Sequence, residues 1–365
     1  MKYLVVDVAA ESYGAMSVLK DFYDFAAGET MHEWVFVLSG PYLHEKKNIK
    51  VIIDAEPKRN WVRRYIWEKT KLPRIVKKNS PDRIISLQNI TVSMCKKIPQ
   101  LIYMHMPLPF QKVKRFSFFN KKERILFLYQ TIIGKIIVRS IKKADITIVQ
   151  GEWLKKAICE KVNAGDKIKV FPTEINLPRN NLCAKYATDG NVVCKQFIYP
   201  VAPSAFKNHE CIIEAVKILI SKGFTDFKVL FTFENHGQFE DIDQIHYLGR
   251  ISREDVFTKM EESVLLFPSF IETFGMPLLE ARACGCIEIV SDCPFSHEIL
   301  DDYGNAYFFN PFDCKELATL MECILTNSMS YKRTKFEFSQ DYSWGSIMQE
   351  FERMIDHSTI GEKNE

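Results

Sequence analysis

Several familiar signatures are missing from the 365 residues, and each absence removes a class of chemistry. No H-E-x-x-H, P-loop or G-x-S-x-G string occurs, which removes the main hydrolase and kinase readings. The ten cysteines include no C-x-x-C pair, the closest two, Cys284 and Cys286, lie in an apolar run, and all ten read as buried free thiols of a reducing cytosol. Zinc-finger, RNP-like and basic-zipper patterns are absent too, so nothing organises contacts to bases and nucleic acid is not an expected partner. No run of about 18 uninterrupted apolar residues is present to span a bilayer. The opening MKYLVVDVAA lacks a cleavage pattern and reads as a first β-strand rather than a signal peptide. Internal repeats and low-complexity segments are lacking as well.

What is present fits two packed domains. Hydrophobic residues make up 47% and charged residues 26%, the balance of a folded chain, and 365 residues exceed one ordinary core. The net charge of +3 hides a division at Ile175. Residues 1–175 hold 32 Lys+Arg against 17 Asp+Glu, or +15, and the remainder hold 17 against 29, or −12. A basic half beside an acidic half suggests an anionic partner for the first domain, either membrane head groups or a phosphorylated acceptor.

Short β-branched runs alternate with amphipathic stretches. Strand signals at Tyr3–Val8, Trp34–Leu38, Arg83–Leu87, Leu101–Met104 and Asp145–Val149 surround a helix signal at Tyr13–Ala26. Pro172–Gly190 reads as a linker. The alternation then restarts with strand Gln196–Tyr199, helix Glu210–Lys222 and strand Lys228–Thr232, and continues to strand Ile287–Val290. The expected fold is α/β: two Rossmann-like doubly wound domains, 1–175 and 176–345, facing across a cleft where the carboxyl ends of both sheets converge, with a closing helix and tail over 346–365.

The most informative stretch is Phe267–Asp292, FPSFIETFGMPLLEARACGCIEIVSD. Pro277 suits the first turn of a helix and Gly285 its stop. Glu280 is then expected on the first turn and Glu272 in the preceding loop, with the backbone N–H groups of Phe274, Gly275 and Met276 between them. A helix start attracts phosphate, and carboxylates accept hydrogen bonds from sugar hydroxyls, so a ligand with both groups fits best. This string resembles the retaining glycosyltransferases of family 4, often called group 1, which have the two-Rossmann GT-B fold. The resemblance rests on Pro268-Ser269, the pair Glu272 and Glu280, Gly275-Met276-Pro277, Glu280-Ala281 and Ala283-Cys284-Gly285, with looser support from Leu248-Gly249 and Tyr342-Ser343-Trp344. It implies that Glu280 holds the donor ribose, Glu272 the donor sugar, and the 274–276 backbone the sugar or diphosphate.

Lys207, in YPVAPSAFKNHE, follows a strand and precedes a helix; the resemblance implies that it binds the donor diphosphate. The Arg that usually accompanies it is missing from Pro200–Ser204, where Ser204 is a weaker substitute. Gly14, in Ser12-Tyr13-Gly14-Ala15, joins the first strand to the first helix and permits close backbone approach to a ligand. His105, in YMHMPLPF, is expected on a loop at a sheet's carboxyl edge, and the resemblance implies that it orients donor hydroxyls. Gln88 and Asn89 occupy a similar edge and are acceptor-site candidates. Asp241-Ile242-Asp243 copies a metal-binding triplet of another transferase fold, but three residues recur readily in an acidic loop, so no metal is expected. Lys112–Lys143 interleaves ten cations with Phe116, Phe118, Phe119 and Phe127, which suits an anionic membrane surface or a solvated helix face.

These features lead to a retaining hexosyltransferase, located in the cytoplasm or at the inner face of its membrane, with a nucleotide-sugar donor and a glycan or lipid-linked acceptor of surface polysaccharide. A sugar-nucleotide epimerase, a phosphorylase or an inactive membrane-docked scaffold remain as alternatives.

Overall fold

The computed structural model describes residues 1–10, 13–172, 183–188, 190–192, 194–334, 336 and 343–361. Ser12, most of the Pro172–Gly190 linker, Tyr342 and residues 362–365 lie outside the described residues. The chain divides into two compact units. The first comprises Met1–Phe110, Ile125–Glu174 and Asp341–Glu365, the second Gln111–Arg124 and Ile175–Gln340.

The first unit contains strands β1 (Lys2–Asp7), β2 (Glu33–Leu38), β3 (Ile49–Ile53), β4 (Arg83–Ser86), β5 (Gln100–Tyr103), β6 (Ile146–Val149) and β7 (Ile168–Val170). Helices α1 (Tyr13–Gly28), α2 (Trp61–Asn79), α3 (Arg124–Leu128), α4 (Gly134–Lys143) and α5 (Glu152–Cys159) lie between them along the chain. The strands are all parallel, in the order β3-β2-β1-β4-β5-β6-β7. Parallel strands carry helices on both faces, which is why β1, β4, β5 and β6 are nearly continuous apolar runs rather than alternating ones. Two core layers result. Phe22, Trp34, Phe36 and Ile148 fill one, while Val6, Val37, Trp67 and Val76 fill the other.

The second unit contains the short hairpin β8 (Ala187–Thr188) and β9 (Asn191–Val192), then β10 (Gln196–Tyr199), α6 (His209–Ser221), β11 (Lys228–Phe231), β12 (Ile245–Tyr247), α7 (Arg253–Glu261), β13 (Val264–Phe267), α8 (Met276–Ala283), β14 (Glu288–Ser291), α9 (Pro294–Leu300), β15 (Ala306–Phe309) and α10 (Cys314–Leu325). Its parallel sheet runs β12-β11-β10-β13-β14-β15. The last helix, α11 (Trp344–Gly361), returns to the first unit. There Trp344 meets Phe22 at 4.7 Å, Phe351 is fully buried, and Glu352 accepts from Arg83 at 2.9 Å.

The basic stretch Lys112–Lys143 does not behave as one segment. Gln111–Arg124 belongs to the second unit and the rest to the first. On α4, Ile137 and Ile141 are buried while Lys135, Arg139, Lys142 and Lys143 face solvent, so this helix is an ordinary amphipathic one. Phe119 and Ile125 upstream are nevertheless 90% and 66% exposed. No helix among the described residues is long and apolar enough to cross a membrane. All ten cysteines are free thiols; Cys159 and Cys183 are exposed rather than buried.

Candidate active site

In an open parallel sheet the strand order reverses at one place, and loops leaving neighbouring strand ends there diverge and leave room for a ligand. In the second unit that place lies between β10 and β13. The loop after β10 carries Lys207 and the loop after β13 carries Glu272, so topology alone brings the two residues to one sheet edge.

Hydrogen bonds fix these loops to each other. Asn208, left-handed at φ 59°, donates from Nδ2 to the carbonyls of Pro268 (3.1 Å) and Pro311 (2.8 Å). The Phe270 N–H donates to the Phe206 carbonyl at 2.9 Å. Tyr199 Oη donates to the Lys207 carbonyl and lies 2.7 Å from Ser269 Oγ. His209 Nε2 donates to the Val201 carbonyl at 3.1 Å; burial lowers this imidazole to about 3, so it stays neutral. Pro268-Ser269, which the sequence offered only as part of a motif, therefore acts through a carbonyl and a hydroxyl that anchor the opposite loop. Between these anchors Lys207 Nζ donates to Glu272 Oε1 at 2.5 Å, both side chains being mostly buried. Ser204 lies in the same loop and contributes its carbonyl, which accepts from the Lys207 N–H.

Helix α8 begins at Met276, one residue earlier than the proline alone suggests, with Pro277 in its first turn and Gly275 as its N-cap. Glu280 is consequently the fifth helical residue and lies in the second turn, not the first as expected. Gly275 has φ +94°, a conformation costly for any residue with a Cβ, and an added Cβ would lie 3.2 Å from Leu278 Cδ1. Gly285 is also left-handed, at φ +67°, just past the helix end as expected. No hydrogen bond among the described residues uses the backbone N–H of Phe274, Gly275 or Met276. Phe274 is buried and Met276 half-buried.

Glu280 has a partner that sequence reading missed. Arg253, the first residue of α7, donates from Nη2 to Glu280 Oε1 at 2.6 Å. Burial raises the Glu280 carboxyl above its ordinary range and Arg253 opposes that shift. Nothing in the local sequence pairs residues 27 apart on two helices, so only the fold could reveal it. A second missed group comes from Gln111–Arg124. Lys114 Nζ lies 4.2 Å from the Phe270 ring centroid and 3.2 Å from Glu123 Oε1, and Lys122 lies 3.5 Å from Glu210.

In the first unit the strand order reverses between β1 and β4. Gln88 and Asn89 follow β4 and His105 follows β5, so these candidates share one sheet edge. Asn89, left-handed at φ 67°, accepts from the His105 N–H at 2.7 Å and donates from Nδ2 to His105 Nε2 at 3.3 Å. That leaves the ring proton on Nδ1, which is buried without a partner among the described residues. Burial lowers His105 to about 4, so the ring is neutral near pH 7. Gln88 Oε1 is likewise buried, with no partner among the described residues. Asp7, at the end of β1 and 1% exposed, was not singled out by any motif. Its Oδ1 accepts from the N–H groups of Ala9 and Ala10, its Oδ2 has no partner among the described residues, and burial pushes its carboxyl up to about 7.

Gly14 is the second residue of α1 rather than part of a connecting loop. A side chain there would meet nothing within 4 Å, so internal packing does not demand glycine. Asp241 Oδ1 of the D-x-D triplet accepts from Asn235 at 3.3 Å, and no cluster of three His, Cys, Asp or Glu side chains suited to a metal occurs among the described residues.

Residues 199–337 match the family model of glycosyl transferases group 1. The O-antigen chain mannosyltransferase RfbU of Salmonella typhimurium is 24% identical over 193 residues, covering 52% of this chain and 53% of that protein. A Campylobacter jejuni enzyme, the N,N'-diacetylbacillosaminyl-diphospho-undecaprenol alpha-1,3-N-acetylgalactosaminyltransferase, is 25% identical over 123 residues, 33% of this chain and 32% of its own. The chain thus spans about half the length of the first relative and about a third of the second. Among solved structures, Anabaena HepE in complex with UDP-glucose covers 98% of this chain and 100% of its own with a TM-score of 0.64 at 15% identity. The chain has the two-Rossmann GT-B fold, and its residues 199–337 carry the match to the glycosyl transferases group 1.

Proposed function

We propose that this protein is a retaining, metal-independent glycosyltransferase that moves a hexose from a nucleotide-diphosphate sugar to an acceptor hydroxyl. The observation that carries the proposal is Lys207 held 2.5 Å from Glu272 where the strand order reverses, next to the amides that open α8. An incoming diphosphate competes with Glu272 for the Lys207 ammonium and takes the N–H groups of 274–276. Glu272, released from Lys207, accepts hydrogen bonds from the sugar hydroxyls, and Glu280 accepts them from the ribose.

Bond cleavage at the anomeric carbon leaves charge on the diphosphate oxygen, where Lys207 and the helix end stabilise it without a bound cation. That oxygen takes the acceptor proton on the face from which the sugar is attacked, which retains configuration. Gln88, Asn89 and neutral His105 offer hydroxyl-binding groups for the sugars. Both relatives are named as glycosyltransferases, and the Campylobacter name specifies a lipid-linked acceptor. Together with the exposed Phe119 and Ile125 amid basic residues, this supports a lipid-linked acceptor reached at the cytoplasmic membrane face, in surface-polysaccharide synthesis.

A thermal-shift screen against UDP, GDP, ADP and their sugars tests the donor site. A nucleotide at 100 times its dissociation constant adds about 2.7 kcal/mol of stability. Glu280→Ala should weaken donor binding at least about tenfold, the loss of one charge-assisted hydrogen bond. Failure of every nucleotide to shift the melting curve would instead favour an inactive scaffold.

A further inference from the structure

Helix α2 of the first unit turns its core side inward through Trp67, Leu72 and Val76. Its outer side carries the exposed cations Arg63, Lys69, Lys71, Arg74, Lys77 and Lys78, but its first two turns add apolar side chains that a solvated face does not ordinarily show. Trp61, Val62, Tyr65 and Ile66 are 42%, 67%, 49% and 53% exposed, packed into the first two turns. Beyond them the helix forms one wall of a groove of about 890 Å³, and residues 94–98 form the other. Pro73, Val76, Cys95 and Ile98 are its apolar lining; Lys69, Arg74, Lys77, Lys96 and Lys97 are its cations, and no carboxylate lines it. Lys69 Nζ donates to Ser93 Oγ at 2.6 Å, tying the helix to the opposite loop. At the mouth Met94 is 80% exposed and left-handed, at φ 65°.

We propose that this groove and the apolar row beside it form a docking site for anionic phospholipid. An apolar floor suits acyl chain, a carboxylate-free cationic rim suits a phosphate head group, and flanking Trp, Tyr, Ile and Met side chains enter the interface between them. Nucleic acid would satisfy the cations but not the exposed Val62, Ile66 and Met94. The proposal uses residues other than Lys112–Lys143 and other than those of the donor site.

Sedimentation of the full chain with vesicles of phosphatidylcholine, with and without phosphatidylglycerol, tests it. Binding should require phosphatidylglycerol and weaken with salt. Arg74→Gln/Lys77→Gln/Lys96→Gln/Lys97→Gln should lower partitioning about a hundredfold, and Tyr65→Ser/Ile66→Ser at least about tenfold. The α4 control Lys135→Gln/Arg139→Gln/Lys142→Gln/Lys143→Gln should have a smaller effect than the groove set. All ten positions are exposed, and a melting curve checks that each variant folds. Three results would overturn the proposal: no preference for phosphatidylglycerol, an α4 effect equal to or larger than that of the groove set, or an unchanged Tyr65→Ser/Ile66→Ser variant. Tight binding of duplex DNA that needs the cations but not the apolar pair would assign the groove to a polyanion. A normal nucleotide shift in the groove variants keeps this outcome separate from that of the donor site.

Discussion

Asp7 offers a direct test of the physical reading of the first unit. Its carboxyl is 1% exposed, its Oδ2 has no partner among the described residues, and burial raises it from the usual 3.8 to about 7. The folded state therefore holds a proton that the unfolded state has already released above about pH 4. Stability on this account is full at low pH and lost as the pH rises through the interval between the two values. The slope is about 1.4 kcal/mol per pH unit, and the interval of about three units gives roughly 4 kcal/mol in all.

Asp7→Asn removes the titration while keeping an oxygen for the Ala9 and Ala10 N–H groups. The amide adds a constant offset, so the informative quantity is the wild-type melting temperature minus that of the variant, followed against pH. For a unit of this size 1 kcal/mol is worth about 2–4 °C. The difference should therefore fall by roughly 10 °C between about pH 4 and pH 7 and then stay level. The raised carboxyls of Glu68 and Glu280 are common to both proteins and cancel. Parallel melting curves across that range would refute the buried, protonated Asp7.

The second unit gives three further predictions. Gly275→Ala should cost about 1–2 kcal/mol from the left-handed backbone, plus the displacement of Leu278, read as a lower urea midpoint at unchanged slope. Asn208→Ala removes both bonds that tie the Lys207 loop to Pro268 and Pro311, and should cost about 1–3 kcal/mol while weakening nucleotide binding more than a distant variant of equal stability. A double-mutant cycle of Lys207→Met and Glu272→Gln should show a coupling of about 1–3 kcal/mol without nucleotide; a value near zero would mean that the ion pair contributes nothing.

Much of this was readable from residues. Pro277 and Gly285 bracketed α8 because each acts through its own backbone, and Gln196–Tyr199 and Ile287–Val290 stood out as short apolar runs. Helix α2 escaped notice because Pro73 interrupts the pattern that announces a helix. The Arg253–Glu280 and Asn208–Pro268 contacts were beyond reach, since the first joins two helices and the second two loops that only the fold brings together. Asp7 belonged to an apolar opening strand and carried no motif; only its burial distinguishes it. The basic stretch 112–143 looked continuous because charge counts ignore which unit a segment joins.

The two units solve the problem of holding polar groups ready in different ways. In the second, Lys207 is neutralised by Glu272 and Glu280 by Arg253, so the site bears little net cost until a ligand arrives. On the proposed function, a diphosphate would displace a carboxylate and the freed carboxylate would gain hydroxyl partners, so that one ion pair would be exchanged for charge-assisted bonds on both sides. In the first, Asp7 Oδ2, Gln88 Oε1 and His105 Nδ1 are buried with no partner among the described residues, each at a cost of about 1–3 kcal/mol. A hydroxyl that reaches these groups recovers that cost, whereas an isostere without hydroxyls does not. Selectivity for hydroxyl-bearing ligands should therefore arise chiefly from the first unit, and selectivity for diphosphates from the second.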